Sequence, residues 1–561
     1  MRFCSFLLFA ALSTALLPAQ VTYVSSQQEF DDAHDNAGQV DTIVWLSGTY
    51  SDILMEIDND SLYITAEVLG GTIFTGDSRV DITGDHITIR GFQFLNGDIG
   101  TEDVIHTRGS YNVFTEINIA DYRSYKYLRV REESQYCVIS YCNFENRLNL
   151  DDQNILSLLV DDNQPGYHKI QYCSFKNFDG TGNDMGIEPI RIGVSTQADF
   201  ISRSVVEYCY FTQCNGDGEL ISSKATQNVY RYNTFENNPK AELVLRHGSE
   251  AIVYGNFFLQ GKGGVRVREG QDHYIYNNYF ENLDDRAIFL QNEDSDPLDN
   301  IQIAFNTIVD CSEIILGGSG NDKPTNVTFA NNIFSEPDDD LFEDPTGTET
   351  WIGNIAFGSL GMTLPVSGII VADPMFVSNG SGLSELDSLS PAIDGAQAGY
   401  APLPAFMGID GIDTAMMLDI MMQSRPAVDS AKDLGCSEYP HLVPVQPIAT
   451  EENTGPSYLG SSLSVGELWP WEAQFSLAPN PAANELRLNI QTEAPLHLSI
   501  AIYTLEGKQI KSVGDQQPYT GDTEVRMDIA DLPNGMYLLQ ILNHQAADST
   551  QKFHALKFLK Q

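Results

Sequence analysis

The chain has 561 residues, enough for more than one domain and a large core. Its 77 acidic against 31 basic side chains leave a formal charge of −46, which argues against nucleic acid and anionic membrane surfaces as partners. A polyanionic ligand would have to be met by a local basic patch or a bound cation, because the overall field repels it.

Residues 1–19 read as a secretory signal: Arg2 supplies the positive start, FLLFAALSTALL the apolar run, and Leu17-Pro18-Ala19 the cleavage site before Gln20. The run is too short to span a bilayer, which takes about 20 residues, and no other stretch would do so. Cys4 leaves with the signal. Seven cysteines remain, an odd count that points to buried thiols and not to a disulfide framework. Ser25 or Ser26 then caps a short amphipathic helix, reaching to about Ala37, whose Phe30 and Ala33 share one face.

The body of the chain is a repeat. YRYNTF, IVYGNFF and YIYNNYF place Asn233, Asn256 and Asn278 in one slot, 23 and 22 residues apart. Self-similarity at this period, carried by short β-rich phrases, predicts a parallel β-helix. The slot continues downstream at Asn306 and Asn332 and upstream as Cys209, Cys173 and Cys142, with Asn118 and Phe92 expected to extend it. Stacked asparagines exchange amide hydrogen bonds along such an axis, so this ladder is structural. The helix at the start would cap the open end of the solenoid.

From about Asp340 the repeat weakens into proline-, glycine- and aspartate-rich closing segments, and the solenoid domain is expected to cover 20–439. Residues 440–474 read as a linker. Residues 475–561 alternate apolar and polar positions between turn residues, which predicts a small β-sandwich. This tail resembles the C-terminal sorting domain of type IX secretion in the Bacteroidetes, on Pro479-Asn480-Pro481, Leu505-Glu506-Gly507-Lys508 and Gly535-Met536-Tyr537. The resemblance implies export and the type IX machinery as a partner.

Alternation in a strand assigns faces. In AELVLRHG, Leu243 and Leu245 point in and Arg246 out; in GGVRVRE, Arg266 and Arg268 point out; in EPIRIG, Arg191 does. Lys224 lies nine residues before Asn233 and Arg246 ten before Asn256, so the two share an angular position on adjacent coils. Asp217 and Glu219 share a face just before Lys224. Outward charges on a β-helix are ordinarily a solvated surface, and a single Glu–Lys pair there is worth little. In so acidic a chain, however, the clustering of Arg191, Lys224, Arg246, His247, Arg266, Arg268 and His273 predicts a basic groove with two carboxylates near its centre. Those carboxylates could bind a hard cation or serve as the acid and base of a glycoside hydrolase. Neighbours two apart on one strand stand too close to flank a sugar from both sides, which favours the cation.

DGELISSK (217–224), LRHG (245–248), GGVRV (263–267), YNNYF (276–280) and IRIG (190–193) together resemble polysaccharide lyase family 6, the right-handed parallel β-helix lyases that include alginate lyases and chondroitinase B. The resemblance covers roughly residues 21–440. It implies Lys224 as Brønsted base, Arg246 as acid, and calcium held by Asp217 and Glu219. A third calcium ligand would come from GNDMGIEP, with Asn183 the choice and Glu188 the fallback. Arg191, His247, Arg266, Arg268 and His273 would hold sugar carboxylates. The expectation is therefore a secreted, monomeric, all-β enzyme that cleaves alginate by calcium-assisted β-elimination. The same motifs also occur in lyases of dermatan and chondroitin sulfate.

Overall fold

A computed structural model describes residues 20–148, 153–180, 186–291, 298–317, 323–363, 366–441, 445–459, 473–478, 484–504, 509–532, 535–543 and 552–560. The expected signal segment and Asn183 lie outside the described residues. Two compact units divide the chain, Met1–Ser461 and Ser462–Gln561. The first is a parallel β-solenoid, the second a five-stranded antiparallel sheet.

Each coil of the solenoid visits three parallel sheets in turn. Sheet 1 has 14 strands, from Val21–Val24 to Thr350–Ile352; sheet 2 has 14, from Gly48–Ser51 to Ile369–Val371; sheet 3 has 12, from Leu54–Ile57 to Phe342–Glu343. Strands are two to eight residues long, so each coil has few apolar positions of its own and the core is continuous from coil to coil. Phe144, Phe175, Phe211, Phe235, Phe258 and Phe280 stack through it at 4.7–5.1 Å between ring centroids. The capping helix spans Gln27–Asp35. Ser26 accepts from the Glu29 amide; Phe30 and His34 are buried, and Ala33, on the same face as Phe30, packs partly buried against the core.

The corner from sheet 1 into sheet 2 sets the register. The residue before the slot takes a left-handed backbone, as at Tyr208, Tyr232, Asn277, Phe305 and Asn331, which turns the chain and sends the slot side chain inward. Asn256 Oδ1 accepts from both the backbone amide of Asn233 (2.9 Å) and its Nδ2 (3.0 Å). Asn278, Asn306, Asn332 and Asn354 repeat the bond. The ladder thus runs one coil beyond its last expected member, Asn332. Upstream, Cys209, Cys173 and Cys142 occupy the slot with fully buried thiols.

One expected member is misplaced. Asn118 pairs with Asn143 and Gln93, so the slot on that coil belongs to its neighbour Ile117. A shift of one residue exchanges faces. Asn118 therefore joins a separate amide row on sheet 2, donating to Gln93 Oε1 (3.0 Å) and accepting from Asn143 Nδ2 (2.9 Å).

After Val371 the chain returns along the outside of the solenoid. Leu386, Ala392, Phe406, Ile412 and Leu434 pack on Val229, Ile252, Tyr254 and Tyr276 of sheet 1, and Arg425 donates to Asn277 Oδ1 (2.9 Å). Residues read from the sequence as linker continue this strap: Gly455 N donates to Tyr172 O (2.8 Å) and Tyr458 Oη to Phe92 O (3.1 Å). In the second unit, the strands Glu485–Thr504 and Gly535–Asn543 bury alternate residues, Leu486, Leu488, Ile490, Ile500, Ile502, Leu539 and Ile541, on one face.

Substituting Asn256→Ala would leave the Asn233 amide and its Nδ2 without that acceptor in a dry corner. At about 1–3 kcal/mol for each buried unsatisfied group, the variant is expected to lose about 3 kcal/mol in chemical denaturation. Cys173→Ala, which removes no comparable partner, should lose about 1 kcal/mol.

Candidate functional site

The site lies on the outer face of sheet 3. Ser223, Leu245 and Val267 stand in register; the next residues, Lys224, Arg246 and Arg268, therefore follow one another on three successive coils. Arg191 pairs with Ser222 in the neighbouring row, in register with Val244 and Arg266. Coil spacing of about 4.8 Å sets the rise between these cations.

A pocket of about 440 Å³ opens here, lined by Tyr125, Gln153, Gly186, Glu188, Arg191, Lys224 and Arg246. Beside it stand three buried carboxylates: Glu188, Asp217 and Glu219, 3%, 5% and 4% exposed. By parity Asp217 and Glu219 belong with the inward Ile221. They escape the core because they precede the regular strand, where the register shifts between Glu219 and Ile221. Asp217 accepts from the Gly186 amide. Glu219 Oε1 pairs with Arg246, while its buried Oε2 has no hydrogen-bond partner among the described residues. Arg191 forks onto Glu188, with Nη2–Oε2 at 2.6 Å and Nε–Oε1 at 3.2 Å.

Among the described residues Lys224 Nζ has no hydrogen bond or ion pair. Burial, and then the Arg191 guanidinium, hold its pKa below the ordinary lysine value; Arg246 acts in the same sense, and Glu188 and Glu219 oppose it. Burial pushes Glu188 up to about 7 against the pull of Arg191, with Glu219 and Asp217 adding like-charge repulsion. The pocket therefore places an easily neutralised amine between two fixed guanidinium groups.

The remaining expected residues divide. Arg266 bonds Gln291 Oε1 (2.5 Å) and lies 3.8 Å from Glu242; His247 pairs with Glu269. Both stay on the sheet 3 side. His273 does not belong to the groove. It is 1% exposed, its Nδ1 accepts from the Ala251 amide (3.2 Å), and its Nε2 meets Glu269 O (3.1 Å). Burial lowers its pKa to about 4, so it is a neutral corner residue, equivalent to His168 beneath the Cys137 amide. Among the described residues no three of His, Cys, Asp or Glu stand close enough to hold a metal on their own. The orphaned Glu219 Oε2 beside Asp217 nevertheless gives a hard cation two oxygen donors. Sequence reasoning missed Tyr125, Lys126 and Gln153. Lys126 shares parity with the inward Leu128, and only its place at the strand start brings it to the pocket side.

The family model described as chondroitinase B matches residues 24–309, and that of the secretion system C-terminal sorting domain matches 476–555. The chain belongs to the chondroitinase B family, the polysaccharide lyases of family 6, and its sorting domain marks it for export by type IX secretion. No helix among the described residues is long and apolar enough to cross a membrane. Solved structures share the fold. The PL6 family alginate lyase AlyGC has a TM-score of 0.59 at 22% identity over 69% of this chain and 59% of its own. A mannuronic acid specific family 6 lyase from human gut microbiota gives 0.54 at 24% identity over 61% and 86%. A PL6 alginate lyase in complex with a trisaccharide gives 0.57 at 20% identity over 66% and 91%. No curated protein matches the chain.

Arg191 is the largest charge holding the Lys224 pKa down, so its loss favours the protonated amine. In Arg191→Gln the pH at which Lys224 is half-acylated by an amine reagent, followed by peptide mass spectrometry, should move upward. An unmoved midpoint would remove the electrostatic account of Lys224.

Proposed function

We propose that the protein is a secreted polysaccharide lyase that cleaves alginate by β-elimination, and that Lys224, Arg246, Asp217 and Glu219 carry the reaction. The observation that carries this reading is Lys224 Nζ, free of any described acidic partner, with its pKa depressed, between Arg191 and Arg246 in one pocket.

Elimination from a uronate removes the proton at C5, forms the C4–C5 double bond, breaks the C4–O4 bond and returns a proton to O4. Neutral Lys224 takes the C5 proton, and the burial that lowers its pKa makes the neutral form easier to reach. Arg246, fixed by Glu219, stabilises the charge that develops. A guanidinium holds its protons too tightly to be the donor, so water protonates O4. Asp217 and Glu219, with Asn183 as the expected third ligand, would hold calcium through oxygen atoms. Bound there, the ion would neutralise the substrate carboxylate and so acidify the C5 proton. Arg191, Arg266 and Arg268, with His247, would engage carboxylates along the chain, arginine being suited to bidentate pairing.

Alginate is favoured because Arg246 and Arg268 set guanidinium groups on successive coils beside the base, and alginate carries a carboxylate on every sugar. Dermatan and chondroitin sulfate carry one on alternate sugars. The chondroitinase B family match makes them the second reading.

Wild-type protein mixed with alginate should produce ultraviolet absorbance from an unsaturated uronate, while chelator or Lys224→Ala should lower the rate at least 100-fold. Absorbance with dermatan sulfate alone would replace the polymer. Reducing ends without absorbance would identify a hydrolase. Glu219→Gln should weaken calcium binding, read by calorimetry on the protein without substrate, at least tenfold.

A further inference from the structure

The proposed reaction leaves unused one buried cation beside the pocket. Lys126 opens the sheet 3 strand Lys126–Val130, in register with Asp103 on the coil before. It is 6% exposed, and its ammonium donates to Asn154 Oδ1 (2.6 Å) and Gln153 Oε1 (3.1 Å) on the coil after. Nζ also lies 4.7 Å from the centre of the Tyr125 ring. The carboxylate that would ordinarily take this lysine is engaged elsewhere: Asp103 is held by Arg129, with Nε–Oδ2 at 2.9 Å and Nη2–Oδ1 at 3.0 Å. A lysine buried against two neutral amides is an unusual solution to desolvation, and it has a geometric consequence.

Burial lowers the Lys126 pKa to about 7, but charged or neutral the amine has hydrogens for two acceptors, and both amides turn their oxygens to it. Asn154 donates to Leu156 O (2.7 Å), which ties it to the main chain, and it is fully buried, out of reach of a ligand. Gln153 is different. It is half-buried and lines the pocket with Tyr125, Arg191 and Lys224. With Oε1 pinned by Lys126, the donor end Nε2 is the branch left to face away from the ammonium.

We propose that Lys126 is a positioning residue that fixes Gln153 as a hydrogen-bond donor to a hydroxyl or carboxylate oxygen of a uronate in the substrate chain. This rests on the lyase reading only in placing a uronate chain in this pocket. Gln153 precedes the strand Leu156–Leu158, which is followed on successive coils by Ile190–Ile192 and Glu219–Ser223. It therefore lies two coils, about 10 Å, before Lys224. The sugar it meets is a distal one, beyond the residue that loses its C5 proton. Gln153 would then act on the placement of the chain and not on the chemical step.

The test is calorimetric binding of an alginate tetrasaccharide in the Lys224→Ala background, which removes the base. Gln153→Ala and Lys126→Met should each weaken binding about fivefold to tenfold, and the two together should weaken it no more than either alone, because both remove one donor. Gln153→Glu keeps a partner for the ammonium but has no NH2; it should bind as weakly as Gln153→Ala while melting no lower than the parent. Multiplying losses in the double variant, or unchanged affinity in Gln153→Ala, would overturn the proposal. If Lys126→Met fails to fold, the Gln153→Ala and Gln153→Glu pair decides alone. A wild-type protein that gives no absorbance, but whose tetrasaccharide affinity still falls on Gln153→Ala, would sink the lyase reading and keep this one.

Discussion

Everything on the outer face of sheet 3 depends on a hydrogen bond at the opposite corner of the coil. Asn256, Asn278 and Asn306 each use one side-chain oxygen to satisfy a backbone amide and a side-chain amide of the coil before. A buried donor left unpaired is costly, so a coil that slipped by one residue would lose this pair of bonds as well as exchanging its faces. The ladder thus holds Asn233 directly over Asn256. Since the chain between corner and groove is nearly equal in length on the two coils, it also sets Lys224 beside Arg246. A packing device with no chemistry of its own fixes the geometry on which the chemistry depends.

The second constraint is charge. A chain of net charge −46 presents a cationic pocket because each arginine there is anchored by a buried carboxylate at its back: Arg129 on Asp103, Arg191 on Glu188, Arg246 on Glu219, Arg286 on Glu242. These pairs fix the guanidinium planes. Local net charge near the pocket stays small as a result. Lys224 is the exception. It has no described acidic partner, and burial first, then the Arg191 guanidinium, lowers its pKa. Removing Arg191 would therefore alter the lysine through its field without touching it.

Much of this was legible in the sequence because a solenoid converts spacing into position. The period, the asparagine slot and the Lys224–Arg246 neighbourhood all follow from counting residues to a recurring phrase. Counting failed where the repeat phrase itself was degenerate: EINIA offers Asn118 to the eye, but the backbone turn puts Ile117 in the slot. Parity failed at strand starts. Lys126, Glu188 and Glu219 carry the parity of core residues and reach the pocket because the chain is still turning there. His273 was misread for a related reason. Its neighbours in sequence are groove residues, but it lies past the next corner, where both ring nitrogens meet main-chain atoms.

The row at the strand starts shows why such positions matter. Asp103, Lys126, Asn154, Glu188 and Glu219 occur one per coil, and all are less than 9% exposed. Polar side chains at these places neither pack in the core nor dissolve in water, so each must find its partner in an adjacent coil or in a ligand. Asp103 and Glu188 find arginines, and Lys126 and Asn154 find amide and main-chain oxygens. Glu219 satisfies one oxygen with Arg246 and leaves the other bare. Along a row in which every other member is paired, that oxygen is the one with no hydrogen-bond partner among the described residues, the place where the protein's own bonding stops short.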